Sequence, residues 1–153
     1  MKIFMTLLLV AIIVIQFFQP KKNQQPVDPN QQIEHLYTIP AEVEGILKGA
    51  CKDCHSNTTQ YPWYTYIQPV GWWLAGHVKG GKHHLNFDEF GSYDLKRQAH
   101  KLDEVAEMVE KKAMPFKPYP SLHEEAKLSD AQRQTLINWA KGLQAEIEAR
   151  QAD

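Results

Sequence analysis

Two cysteines stand three residues apart with a histidine directly behind them, in the string Cys51-Lys52-Asp53-Cys54-His55. The 153 residues hold no other cysteine. A disulfide closing so short a loop does little for stability, so the pair points to chemistry rather than to bridging. On a helical turn, positions i, i+3 and i+4 share one face. Two thiols so placed reach the two vinyl groups of one haem as thioethers, and the next imidazole reaches its iron. Cys51, Cys54 and His55 are therefore the candidate cofactor-binding residues, with His55 the first metal ligand and a single covalent haem c, with its iron, the expected cofactor. A thioredoxin-like pair needs a strand before it and an α/β context, which the sequence lacks. A structural zinc site needs a second cluster of ligands at familiar spacing, and none stands out among the seven histidines.

Lys2 precedes an apolar run from Ile3 to Phe18 that only Thr6 and Gln16 interrupt. Such a run, about sixteen residues, is shorter than the ~20 of a comfortable transmembrane helix, yet longer than many signal-peptide cores. No small residues mark a cleavage site at its end. Residues 1–19 read as an uncleaved membrane anchor, with a cleaved signal as the alternative. Lys21 and Lys22 on the far side work against export of the C-terminal part. Haem of this kind is attached after translocation, however, which puts the domain on the periplasmic side of the cytoplasmic membrane. Residues 20–32 carry three prolines and many amides. They read as a flexible linker spanning roughly 20 Å. The charge balance, 17 Lys+Arg against 18 Asp+Glu, argues against a nucleic-acid partner.

The remainder, a domain over 33–148 with a short tail at 149–153, shows helical periodicity and no sustained alternation. Pro40 opens a helix with Val43, Ile46, Leu47 and Ala50 on one face, running into Cys51. Pro62 and the aromatic residues around it read as a loop. Pro69 opens a second helix that Gly80-Gly81 ends. Asn86 with Glu89 suggests a capping box for one further turn. A third helix fits from Ser92 or Asp94 to Ala113, closed by Met114-Pro115. Ser129 with Gln132 forms a capping box for the last helix, whose apolar face holds Leu136, Ile137, Ala140, Leu143 and Ile147. The fold class is all-α: helices around one haem, preceded by the N-terminal membrane helix.

Iron accepts a sixth ligand. Met114, at a helix end before a proline-stiffened loop, offers a soft thioether that favours reduced iron. The same pattern also suits a gap-filling core methionine. His77, His83, His84, His100 and His123 are rival ligands, and His35 lies near the linker. Trp63, Trp72, Trp73 and Trp139 read as pocket and core packing. Lys79, Lys82 and Lys117 are candidates for neutralising propionates.

A longer set of strings carries a resemblance. Cys51-Lys-Asp-Cys-His-Ser56-Asn57 is followed by Tyr61-Pro-Trp-Tyr64, Gln68-Pro-Val70 with Trp72-Trp73, and Leu85-Asn-Phe87. Met114-Pro115, Tyr119, His123, and Leu128-Ser129 with Trp139 complete it. Over residues 38 to 142 the chain resembles the small haem-binding domain family of bacterial c-type cytochromes. The resemblance implies one covalent haem, an extracytoplasmic location, a helical cytochrome c-like fold, and Met114 as distal ligand. The expected function is a membrane-tethered one-electron carrier, not an enzyme, exchanging electrons with a membrane-bound or periplasmic redox protein. A haem peroxidase using His77 or His123 for proton transfer, or a gas or redox sensor with a labile distal ligand, is the alternative.

Overall fold

The computed structural model describes residues 1–152, and among them the chain is helical, without a strand. Seven α-helices follow one another: α1 Lys2–Ile15, α2 Ile33–Leu36, α3 Ala41–Ala50, α4 Lys52–His55, α5 Val70–His84, α6 Leu95–Glu110 and α7 Asp130–Ala152. Short 3-10 turns punctuate the connections, notably Trp63–Tyr66 and Phe87–Ser92.

The core forms where the apolar faces of α3, α6 and α7 meet. Leu47, Leu102, Ala106, Leu136 and Ile147 are buried there, together with Ile33 of α2 and Phe87 and Phe90 from a connecting turn. Helix α6 starts on Asp94, whose carboxylate accepts from the Arg97 N–H at 2.7 Å. Helix α7 starts with the expected capping box: the Gln132 N–H donates to Ser129 Oγ at 3.2 Å, and the Ser129 N–H donates to Gln132 Oε1 at 2.9 Å.

Four expectations need correction. Helix α6 stops at Glu110 rather than Ala113. Lys112 adopts φ 54°, and the N–H groups of Lys112 and Ala113 turn back to the carbonyls of Val109 and Met108. This double turn closes the helix before proline has a say. Helix α5 passes through Gly80-Gly81 and ends at His84. Residues 149–152, expected as a tail, continue α7. The fourth concerns residues 20–32, which are docked rather than free. Asn23 is buried; its N–H donates to the Tyr61 hydroxyl at 2.7 Å, and its Nδ2 to the Ser56 carbonyl and Thr59 Oγ1, both at 2.9 Å. Gln24 pairs with Thr58 as a β-bridge. The amides that composition reads as linker chemistry here satisfy the backbone of the loop behind His55.

The N-terminal segment forms α1, in which no residue is buried. Its 14 residues rise about 21 Å, against a hydrocarbon core of ~30 Å. Among the described residues no helix is long and apolar enough to cross a membrane, so the expected membrane-spanning helix is not met by α1 alone.

Candidate haem site

Helix α3 delivers the chain to Cys51, and α4 is the single turn after it. Cys51 and Cys54 are both free thiols and partly buried. Burial pushes Cys51 up to about 12, with the neighbouring Cys54 adding to it. Burial and the Asp53 carboxylate push Cys54 up to about 11. Both sulfurs therefore stay protonated and neutral at ordinary pH. Because the thiolate is the species that alkylates, the haem-free folded chain should react with iodoacetamide at pH 8 roughly a hundredfold more slowly than the unfolded chain, a tenfold drop per unit of pKa. Equal rates, followed by mass spectrometry, would contradict this.

His55 is held by a backbone carbonyl. Its Nδ1 lies 3.0 Å from Leu85 O, and a carbonyl can only accept, so Nδ1 carries the proton. Nε2 is then the nitrogen with a free lone pair, the form a metal binds. Burial holds the imidazole below its ordinary value, partly offset by the Leu85 and Gly81 carbonyls. The ring sits edge-on to Phe87, centroids 6.4 Å apart. Leu85 is the first residue past α5, so the placement of α5 against α4 sets the aim of His55. Gly81 permits that placement, since a Cβ there would stand 2.7 Å from the Cys54 carbonyl oxygen and 3.1 Å from Cys54 Cβ.

The loop behind His55 is fixed by buried polar pairs. Asp88 accepts from the Asn57 N–H at 2.8 Å and from Gln32 Nε2 at 2.9 Å, and Asn86 Nδ2 donates to Asn57 Oδ1 at 2.9 Å. On the other side of α4, Tyr119 donates to Asp53 Oδ2 at 2.6 Å and stacks on His123 with centroids 4.0 Å apart. The Tyr64 hydroxyl and His123 Nε2 are 2.5 Å apart. Burial pushes both tyrosines up, and Asp53 adds to the effect. This cluster encloses a cavity beside Cys54, about 20 Å³, with Pro62, Leu74 and Val78 in its wall. That is room for one water, so the donor set rather than the cavity is what fits a haem. The donor set does fit: two neutral thiols one helical turn apart, and a neutral imidazole oriented by a carbonyl. A wider groove of about 590 Å³ lies along α5 between Lys79, His83 and Glu89, and contains none of the three motif residues.

Met114 is half-buried just past α6. Its N–H donates to Met108 O at 3.1 Å, and its carbonyl accepts from Arg133 Nη1 at 2.9 Å. Two residues on, Phe116 stacks on His77 of α5, centroids 4.7 Å apart. The loop from Met114 to His123 thus leaves the α6–α7 pair and folds over α4 and α5. Among the rival histidines only His123 is buried, bonded to Tyr64 and 3.2 Å from Glu125. His77 bonds the Trp73 carbonyl within its own helix at 2.8 Å. His35, His83, His84 and His100 are exposed. Lys82, a candidate for propionates, instead donates to Asn23 Oδ1 and Gln25 Oε1. Of the four tryptophans expected in pocket or core, only Trp139 packs there; Trp63 is 75 % exposed. Among the described residues no group of three or more His, Cys, Asp or Glu converges as a metal cage. Sequence reading took Gly81 for a helix end, not for a point of close packing on Cys54, and missed the Leu85 carbonyl. The string Leu85-Asn-Phe87 was the only trace of the latter.

A family profile described as a haem-binding domain matches residues 10–142. Searches of curated proteins and of solved structures each returned no match.

Proposed function

The chain belongs to the haem-binding domain family, and from that premise we propose that it carries one covalent c-type haem and passes single electrons outside the cytoplasm. The observation that carries this reading is His55 Nδ1 paired to the Leu85 carbonyl beside two free thiols. Bound haem supplies an iron that changes oxidation state by one electron. Cys51 and Cys54 would hold the group through their sulfurs, and His55 Nε2 would bind its iron. The Leu85 carbonyl keeps the ring in one tautomer and raises its basicity as a ligand. Met114, its backbone fixed by Arg133 and Met108, would supply the second side-chain ligand. Two such side-chain ligands would leave no position for substrate, which favours a carrier over an enzyme. Attachment of such a haem after translocation supports a periplasmic location. The exposed apolar helix α1 supports a membrane tether and exchange with a membrane-bound or periplasmic redox protein.

The spectrum of the ferric protein tests this. We expect the weak far-red band of methionine–iron ligation, and its disappearance in Met114→Ala with the haem still attached. A high-spin ferric spectrum in the unaltered protein would overturn the carrier reading. It would favour the peroxidase or sensor alternative, in which His123, buried beside Cys54, is placed for proton transfer.

A further inference from the structure

Helix α1 is apolar on every side and none of its residues is buried. A helix apolar all round belongs inside a protein core or inside lipid. Its C-terminal end is finished in an unusual way. The carbonyls of Ile13, Val14 and Ile15 accept from the N–H groups of Gln16, Phe17 and Phe18. The Ile12 carbonyl accepts from Gln16 Nε2 at 2.9 Å, the Gln16 carbonyl from Gln19 Nε2 at 2.8 Å, and the Phe18 carbonyl from the Trp72 indole at 2.6 Å. Side chains thus do at this helix end what water does elsewhere, as a low-dielectric setting requires.

The same side chains fasten α1 to the domain. The Gln68 N–H donates to Gln16 Oε1 at 2.9 Å, and the Gln68 carbonyl accepts from Gln16 Nε2 at 3.2 Å. Gln68 Nε2 donates to Gln19 Oε1 at 3.0 Å, while Gln19 Nε2 reaches the Tyr66 carbonyl at 3.1 Å. Gln68 is itself 2 % exposed. Gly71 makes room for this lattice, since a Cβ there would stand 2.5 Å from the Thr65 carbonyl and 2.8 Å from Gln68 Nε2. Around the lattice, Phe17, Phe18, Trp63, Tyr66, Ile67 and Trp72 all stand exposed. Lys22 bonds the Tyr66 hydroxyl and lies over its ring. Tryptophan, tyrosine and lysine are the residues that populate the headgroup level of membranes.

Length decides how these parts combine. Helix α1 with the turn to Phe18 makes seventeen residues, about 25 Å of rise. The hydrocarbon core is ~30 Å thick, and a short span is accommodated by drawing the bilayer and its flanking residues together. We propose that the face formed by Trp63, Tyr66, Ile67 and Trp72 is a lipid-docking surface, held in the headgroup region of a bilayer by the Gln16–Gln19–Gln68 lattice at the foot of the inserted α1. This rests on the proposed membrane tether and adds that the domain lies on the membrane instead of swinging from it. Continuity of the face with α1, and the satisfied carbonyls between them, identify lipid as the occupant.

The test uses the haem-loaded full chain in phosphatidylcholine nanodiscs, with a benzophenone-bearing residue placed singly at Leu8, Trp63, Ile67 or Lys141. Lipid adducts are read by mass spectrometry after irradiation. Adducts at Leu8, Trp63 and Ile67 with none at Lys141 are expected. With Gln16→Ala in the same chain, adducts at Trp63 and Ile67 should fall several-fold while those at Leu8 persist. Adducts at Leu8 alone would overturn the docking surface and leave the tether standing. No adduct at Leu8 would remove the tether, and the docking surface with it. Adducts at Lys141 as strong as at Trp63, or no response to Gln16→Ala, would also overturn the proposal.

Discussion

A chain with serine at both Cys51 and Cys54 will run on a denaturing gel without haem, and its intact mass will equal that of the bare polypeptide. The argument starts from the sulfurs. They are the only two cysteine sulfurs in the chain, they are free, and one helical turn separates them. A hydroxyl adds to a vinyl group far less readily than a thiol, so the double substitution leaves no route to a stable bond. His55 keeps its carbonyl partner in that variant, and its hold on iron is reversible and does not survive denaturation. Either single serine variant should retain haem through one sulfur, with an absorption band shifted by the remaining vinyl group. Haem that migrates with the doubly substituted chain would end the covalent reading, whatever else the protein binds.

Two neighbouring glycines give a second large effect with opposite signs. Alanine at either position in a helix interior gains up to about 1 kcal/mol in intrinsic preference. At Gly80 a Cβ meets nothing within 4 Å, so Gly80→Ala should stabilise the protein by about 0.5–1 kcal/mol. At Gly81 the Cβ would stand 2.7 Å from a backbone oxygen of Cys54, which no rotamer change relieves. Forced overpacking costs about 1–3 kcal/mol, enough to reverse the gain. Gly81→Ala should therefore lower the denaturant midpoint while Gly80→Ala raises it. The consequence extends to the site. If α5 moves off α4, Leu85 moves with it and the His55 Nδ1 bond lengthens. In the haem-loaded protein the ring protons of His55 should shift in Gly81→Ala and stay put in Gly80→Ala. Equal stability changes in the two variants would mean that α5 and the motif turn are not in such close contact.

What the sequence made legible depends on how local each signal is. The Asp94 cap and the Ser129–Gln132 box each join residues three positions apart; the box forms as read, and of the two candidate starts it is Asp94 that caps α6. The apolar stripes of α3, α6 and α7 are periodic, and they form the core. Gly80-Gly81 misled because glycine serves two purposes: it ends helices through positive φ, and it admits close neighbours. Here neither residue has positive φ, and the second purpose applies at Gly81, through a partner 27 positions away. The docked segment around Asn23 was hidden for the same reason. Its partners Ser56, Thr59 and Tyr61 lie more than thirty residues on, and amide-rich composition does not reveal whether amides bond water or another loop. The Tyr64–His123–Tyr119–Asp53 cluster is tied by bonds such as Tyr119 to Asp53, 66 positions apart. Its members were visible as isolated letters, but their convergence beside Cys54 was not.

The Asn23 segment also limits how far the N-terminus could be cut back without disturbing the site. It contributes hydrogen bonds to Ser56, Thr59 and Tyr61, and it accepts from Lys82 of α5. Proteolytic trimming ahead of Pro20 would leave that clasp whole, freeing the domain from its apolar leader but not altering the loop behind His55. A cut only a few residues later would open the backbone groups of Ser56 and Thr59 to water and loosen the seat of the imidazole. The stretch just past α1 thus backs the loop behind His55, and a chain cut within it would lose that backing.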